Sequence, residues 1–181
     1  MTEPPTVPEL QTPRLLLRRL VESDAPGLHE AYGDLEAMRF WDSLPARDAA
    51  ETAARIRHSL GIDPQWHAAF AVLLRDSGKF VGMVNYHQRV PPHRRLGVGW
   101  ILGRPWWRQG LAQEATRALL DHCFTALDAH RIEAQIEPDN AASLRLAERL
   151  GFHREGIMRD CLFVDGQPRT AFLYALLRPD W

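Results

Sequence analysis

The chain has 181 residues, 45% of them apolar and 25% charged, with a formal net charge of −1. That length suits one domain with a sizeable core, and the near-neutral balance argues against nucleic-acid binding, which favours a basic excess. No apolar run approaches the roughly 18 residues needed to span a membrane. Residues 1–13 are rich in Pro, Thr and Glu without the basic-then-apolar order of a secretory signal. They read as a flexible lead-in to a single domain over residues 14–181, and the protein is expected in the cytoplasm. Cys123 and Cys161 lack partners at metal-ligand spacing, so no metal is expected.

In chain order, Arg14–Leu20 reads as a first strand. Ser23 is placed to cap a helix whose apolar face is Leu28, Ala31 and Tyr32. Asp48–Leu60 carries Thr52, Ile56 and Leu60 at helical spacing. Strands over 66–75 and 80–87 flank the turn Asp76-Ser77-Gly78. A proline-containing loop, Val90–Arg95, leads to a strand over 96–102. After a turn at 107–112, Leu111, Ala115, Leu119, Cys123 and Leu127 form one stripe of a helix lasting to about Asp128. Arg131–Glu137 alternates as a strand. Asn140 or Asp139 then caps a short helix with Leu144, Ala147 and Leu150 inward, stopped at Gly151-Phe152. Two strands joined at Asp165-Gly166, a type I′ signal, close the chain. The order predicts a mixed α/β sheet with helices on both faces, the strands at 96–102 and 131–137 running parallel because a helix joins them.

Two segments carry the chemistry. The turn at Arg108-Gln109-Gly110 empties a strand into a helix, leaving unpaired backbone N–H groups that favour an anionic phosphate. It is neither a GxxxxGK[ST] loop nor a GxGxxG fingerprint. In Asn140-Ala-Ala-Ser143, two polar residues stand one turn apart at the start of a helix that follows a parallel strand, where ligands of α/β sheets bind. Capping is the simple reading of Asn140, and a helix-start position that of Ser143.

Together these segments resemble the GNAT acetyltransferase superfamily. Trp100–Gln113 is similar to its coenzyme A pyrophosphate signature and Asn140–Phe152 to its second signature, although Trp107 stands where Gln or Arg is usual. Thr12–Arg18 and Tyr174–Trp181 resemble the ribosomal-protein N-terminal acetyltransferase branch. The resemblance implies a mostly antiparallel sheet with one parallel pair at the coenzyme cleft. It also implies acetyl-CoA as cosubstrate and an amine acceptor, such as a ribosomal or other protein N-terminus; a homodimer is an open expectation. Backbone of Trp100, Ile101 and Leu102 would hold the pantetheine arm, amides of Arg108, Gln109, Gly110, Leu111, Ala112 and Gln113 the pyrophosphate, and Asn140 the pantetheine. Ser143 is implied as the group that protonates the leaving sulfur, with Tyr174 as a second candidate.

No carboxylate stands at Gly97 or Leu162, where related enzymes often carry a basic Glu. His87, His93, Glu155 and Asp160 remain as candidate bases. Among the tryptophans, Trp41, Trp66, Trp106 and Trp107 are candidates for an acceptor groove, Trp41 foremost, with His87 on the same substrate side. The functional expectation is acetyl transfer to a protein or peptide α-amine. A small-molecule amine acetyltransferase and a catalytically silent acyl-CoA-binding module are the alternatives.

Overall fold

The computed structural model describes residues 7–181. Its elements are β1 (Leu10–Gln11), β2 (Leu15–Arg19), α1 (Ala25–Tyr32), α2 (Ala49–Leu60), β3 (Ala68–Leu74), β4 (Phe80–Val90), β5 (Arg95–Leu102), α3 (Leu111–Thr125), β6 (Arg131–Ile136), α4 (Ala141–Arg149), β7 (His153–Val164) and β8 (Gln167–Leu177). The strands form one sheet in the order β1-β2-β3-β4-β5-β6-β8-β7. Every neighbouring pair is antiparallel except β5 and β6, which run parallel as the sequence predicts.

Strand periodicity divides the core in two. Val84 and Tyr86 of β4, Val98 of β5 and Ile132 of β6 face α3 and α4, where Leu119, Cys123 and Ala147 complete the larger cluster. Met83 and Ile101 face the other way, against Leu28, Tyr32 and Ile56 of α1 and α2. Cys123 is therefore a core thiol, its pKa pushed up by burial.

The feature that positions the site is the short β5–β6 ladder. It holds only the pairs Arg95–Arg131, Leu96–Ile132 and Gly97–Glu133. Beyond Gly97, β5 stays with β4 as far as Leu102, while β6 stays with β8 as far as Ile136. Two strands bound to different partners thus part into a fork in mid-sheet.

Several local expectations change. Residues 1–6 of the lead-in expected to be flexible lie outside the described residues, whereas Leu10–Gln11 pairs with Leu17 and Leu16. Ser23 does not cap α1. Asp24 takes that corner, accepting from the Val21 amide at 2.9 Å and from both terminal nitrogens of Arg18 at 2.7 and 2.8 Å. The ion pair satisfies a buried carboxylate that a serine hydroxyl could not replace. Helix α3 ends at Thr125, and Asp128 sits beyond it at a left-handed φ of 53°. In α4 the inward residues are Leu146, Ala147 and Leu150, with Leu144 half-buried. The hairpin at Asp165-Gly166 has both φ values positive, 51° and 70°, as a type I′ turn requires.

Candidate active site

Both helices that follow the forked strands begin at its mouth. Arg108 and Gly110 adopt φ of 60° and 76°, which turns successive N–H groups toward one point. Gly110 is the N-cap of α3 and offers no side-chain cap. The amides of residues 108–113 have no acceptor among the described residues; the first α3 amide to bond is that of Glu114, to Gly110 O at 3.1 Å. A cluster of orphan donors at the positive end of a 15-residue helix fits a diphosphate.

The loop is braced by a residue to which the sequence reading gave no part in the site. Arg14 donates from Nη1 to Gln109 O at 3.0 Å and from Nε to Glu114 Oε2 at 2.6 Å. Thr12 Oγ1 and the Arg14 amide also donate to Glu114 Oε1, at 2.6 and 2.9 Å. Burial raises the Glu114 pKa, but the hydrogen bonds from Thr12 and Arg14 together hold it below the ordinary value. A Cβ on Gly110 would stand 3.5 Å from Arg14 Nη2, so the guanidinium lies beside the loop. The first turn of α3 thereby carries a carboxylate whose charge is already matched, leaving its amides to an external anion.

Asn140 caps α4, its Oδ1 accepting from the Ser143 amide at 3.1 Å. Across the fork, Trp100 Nε1 donates to Ser143 Oγ at 3.1 Å. The side chain of Trp100 therefore joins β5 to the start of α4, a role beyond the backbone one expected. Tyr174 stands beside α4, further along. It is buried on β8, and its hydroxyl donates to Glu148 Oε1 at 3.2 Å, more than a turn along α4 from Ser143. Burial and Glu148 both raise its pKa.

On the opposite face, β4 leans its polar residues over two glycines of β5. A Cβ on Gly97 would stand 2.5 Å from His87 Nε2, and a Cβ on Gly99 would stand 2.6 Å from Asn85 Oδ1. Beside them is a cavity of about 240 Å³ lined by Tyr32, Trp41, Asp42, His67, Met83 and Asn85, among others. Trp41 packs on Tyr32 with ring centroids 6.1 Å apart. The remaining groove candidates are elsewhere: Trp66 and Trp107 face solvent, and Trp106 packs against the larger cluster. Of the other candidate bases, Glu155 is gripped by Arg131 at 2.6 and 2.9 Å, His93 closes an exposed turn, and Asp160 is exposed on β7.

The sheet thus forks between a cluster of orphan backbone amides at the start of α3 and a cavity on the facing side. Residues 14–153 match the model of the acetyltransferase (GNAT) domain. The chain belongs to the GNAT acetyltransferase family, whose members are acetyl-CoA-dependent N-acetyltransferases. It is 29% identical over 174 residues to the uncharacterized N-acetyltransferase p20 of Bacillus licheniformis, covering 95% of this chain and 97% of that one. It is 31% identical over 180 residues to the ribosomal protein uS5 alanine N-acetyltransferase of Escherichia coli strain K12, covering 95% and 92%. Among solved structures it is similar to RimJ of Mycobacterium smegmatis in complex with CoA-disulfide, with a TM-score of 0.83 and 26% identity over 98% of this chain and 89% of that one.

Proposed function

We propose that this enzyme acetylates the α-amine at the N-terminus of a protein or peptide. The observation that carries the reading is Gly97: on the acceptor face, where β5 and β6 part, β5 offers no carboxylate, and Glu133 opposite it on β6 is engaged by Arg131 at 2.6 Å. Neutralising an α-amine of pKa about 7.7–8.0 at pH 7 costs only about 1–1.4 kcal/mol, against about 4.6 kcal/mol for a lysine side chain at about 10.4. A site without a strong base suits the first. The similarity to an enzyme named for alanine acetylation of ribosomal protein uS5 points the same way.

In this reading the orphan amides of 108–113 take the pyrophosphate. The free edge of β5 over Trp100–Leu102 takes the pantetheine as an added strand, and Asn140 lies beside it. The acceptor enters from the cavity lined by Trp41 and Tyr32, with Asp42 at the rim as a counter-charge for the ammonium. Ser143 protonates the departing sulfur, while Tyr174 buttresses α4 through Glu148.

Incubating the purified protein and acetyl-CoA with a proteome extract, followed by mass spectrometry, tests this. Acetyl groups are expected on N-terminal residues and not on lysine side chains. Faster coenzyme A release with spermidine or an aminoglycoside than with any peptide would reassign the enzyme to small amines. Saturable acetyl-CoA binding without release on any acceptor would mark a silent binding module.

A further inference from the structure

The space that a side chain at position 97 would fill is taken by a nitrogen from the neighbouring strand. His87 and Gly97 are cross-strand partners in the β4–β5 ladder. With 2.5 Å between His87 Nε2 and a Cβ position on Gly97, the imidazole lies directly over the glycine. Any larger residue there would expel it. Gly97 is also the last residue of β5 paired to β6, so the imidazole stands where the fork begins, on the face of the acceptor cavity. Ser143 and the indole of Trp100 approach from the other face.

The ring is also free to react. His29 is tied to Thr52 at 2.9 Å and His67 to Ser59 at 2.7 Å, but His87 has no hydrogen-bond partner among the described residues. The charged groups about it are few. Asp42 faces it from the segment between α1 and α2, and His67 from the approach to β3, with His58 of α2 behind. Glu133, opposite Gly97 on β6, is engaged by Arg131 at 2.6 Å, with Arg95 at 3.9 Å. Burial holds the His87 pKa below the usual imidazole value, with Asp42 opposing that shift, so near pH 7 the ring is neutral and keeps a lone pair.

We propose that His87 is the general base of this enzyme, its Nε2 taking a proton from the incoming ammonium at the mouth of the fork. The N–H bond breaks toward the imidazole, and the freed lone pair forms the C–N bond to the acetyl carbon. The C–S bond then breaks with its electrons on sulfur. A second proton passes from the former amine to the thiolate by way of the Ser143 hydroxyl, and the imidazolium returns its proton to water. The products are an amide, a thiol and one proton, which balances the reaction. Only the peptide probe below rests on the α-amine reading.

The test compares the wild type with His87→Gln on two acceptors: a hexapeptide with N-terminal alanine, and hydroxylamine, which is already neutral near pH 7 and needs no base. The variant is expected to lose about 100-fold in kcat/KM on the peptide. It should keep its rate on hydroxylamine and its acetyl-CoA affinity by calorimetry. Its kcat/KM–pH profile should lose the acid limb set by the imidazole and follow the amine alone. Peptide rates within about threefold of wild type, or equal losses on both acceptors, would overturn the proposal. A wild type that acetylates hydroxylamine but not the peptide would sink the α-amine reading instead, and the same comparison with spermidine then decides on His87. No coenzyme A release with any of the three acceptors overturns both.

Discussion

An indole nitrogen only donates, whereas a serine hydroxyl both donates and accepts. The bond from Trp100 Nε1 to Ser143 Oγ therefore fixes more than a distance. It makes the serine oxygen the acceptor and frees the serine hydrogen to point into the fork, where a thiolate would need it. With Asn140 holding the Ser143 amide, both ends of the residue are set. Ser143→Ala is expected to lower kcat about tenfold with little change in acetyl-CoA affinity. Trp100→Phe keeps the ring but removes the donor, and should lower kcat by a similar factor. If the indole acts through the hydroxyl, Trp100→Phe in the Ser143→Ala background should cost nothing more; additive losses in that double-mutant cycle would show separate roles. Neither this pair nor the apposition of His87 and Gly97 was legible in the sequence. The partners are 43 residues apart in the first case, and in the second the signal is a missing side chain that matters only once register is known.

At the scale of elements, periodicity located the long strands, the four helices and the turn before α3, because each repeats an apolar spacing or carries a turn residue with its own geometry. It missed β1, which at two residues has no period. It also missed the contact that joins the first strand to α3. Thr12 and Arg14 read as the lead-in and start of a strand, yet they hold Glu114 and Gln109 from a hundred residues away. Arg14→Ala removes a cation beside the cradle and leaves Glu114 less neutralised, so the acetyl-CoA dissociation constant should rise about tenfold in calorimetry. Gly110→Asp is the sharper test. Aspartate tolerates a left-handed φ better than most residues, so the fold should persist. A carboxylate among the orphan amides of residues 108–113 should nevertheless cost about 2–4 kcal/mol of coenzyme binding, or roughly 30- to 1,000-fold in affinity.

For the whole molecule, the buried histidines contribute to the loss of stability in acid. Burial lowers the His67 pKa to about 4, with the positive fields of His87 and His58 adding to it. His87 and His122 are lowered too, by burial. A histidine lowered in the folded state is neutral in both states above its unfolded pKa of about 6.5. As pH falls from there toward 4, the unfolded chain takes the proton first and stability is lost. Below about pH 7 Tm should fall by roughly 3–6 °C from His67 alone over that window. In scanning calorimetry His67→Gln should flatten that part of the slope; an unchanged profile would exclude His67 as its source. The fork has a consequence of a different kind. A sheet normally keeps its unpaired edges at its rims, where other chains can add to them. This one carries two edges in its interior, roofed by α3 and α4 on one face and fronted by α1 and α2 on the other. The seam can be closed only by something narrow and extended; in the proposed reading the thioester arm is in effect a missing strand, and binding it would finish a fold that the described strands leave one short.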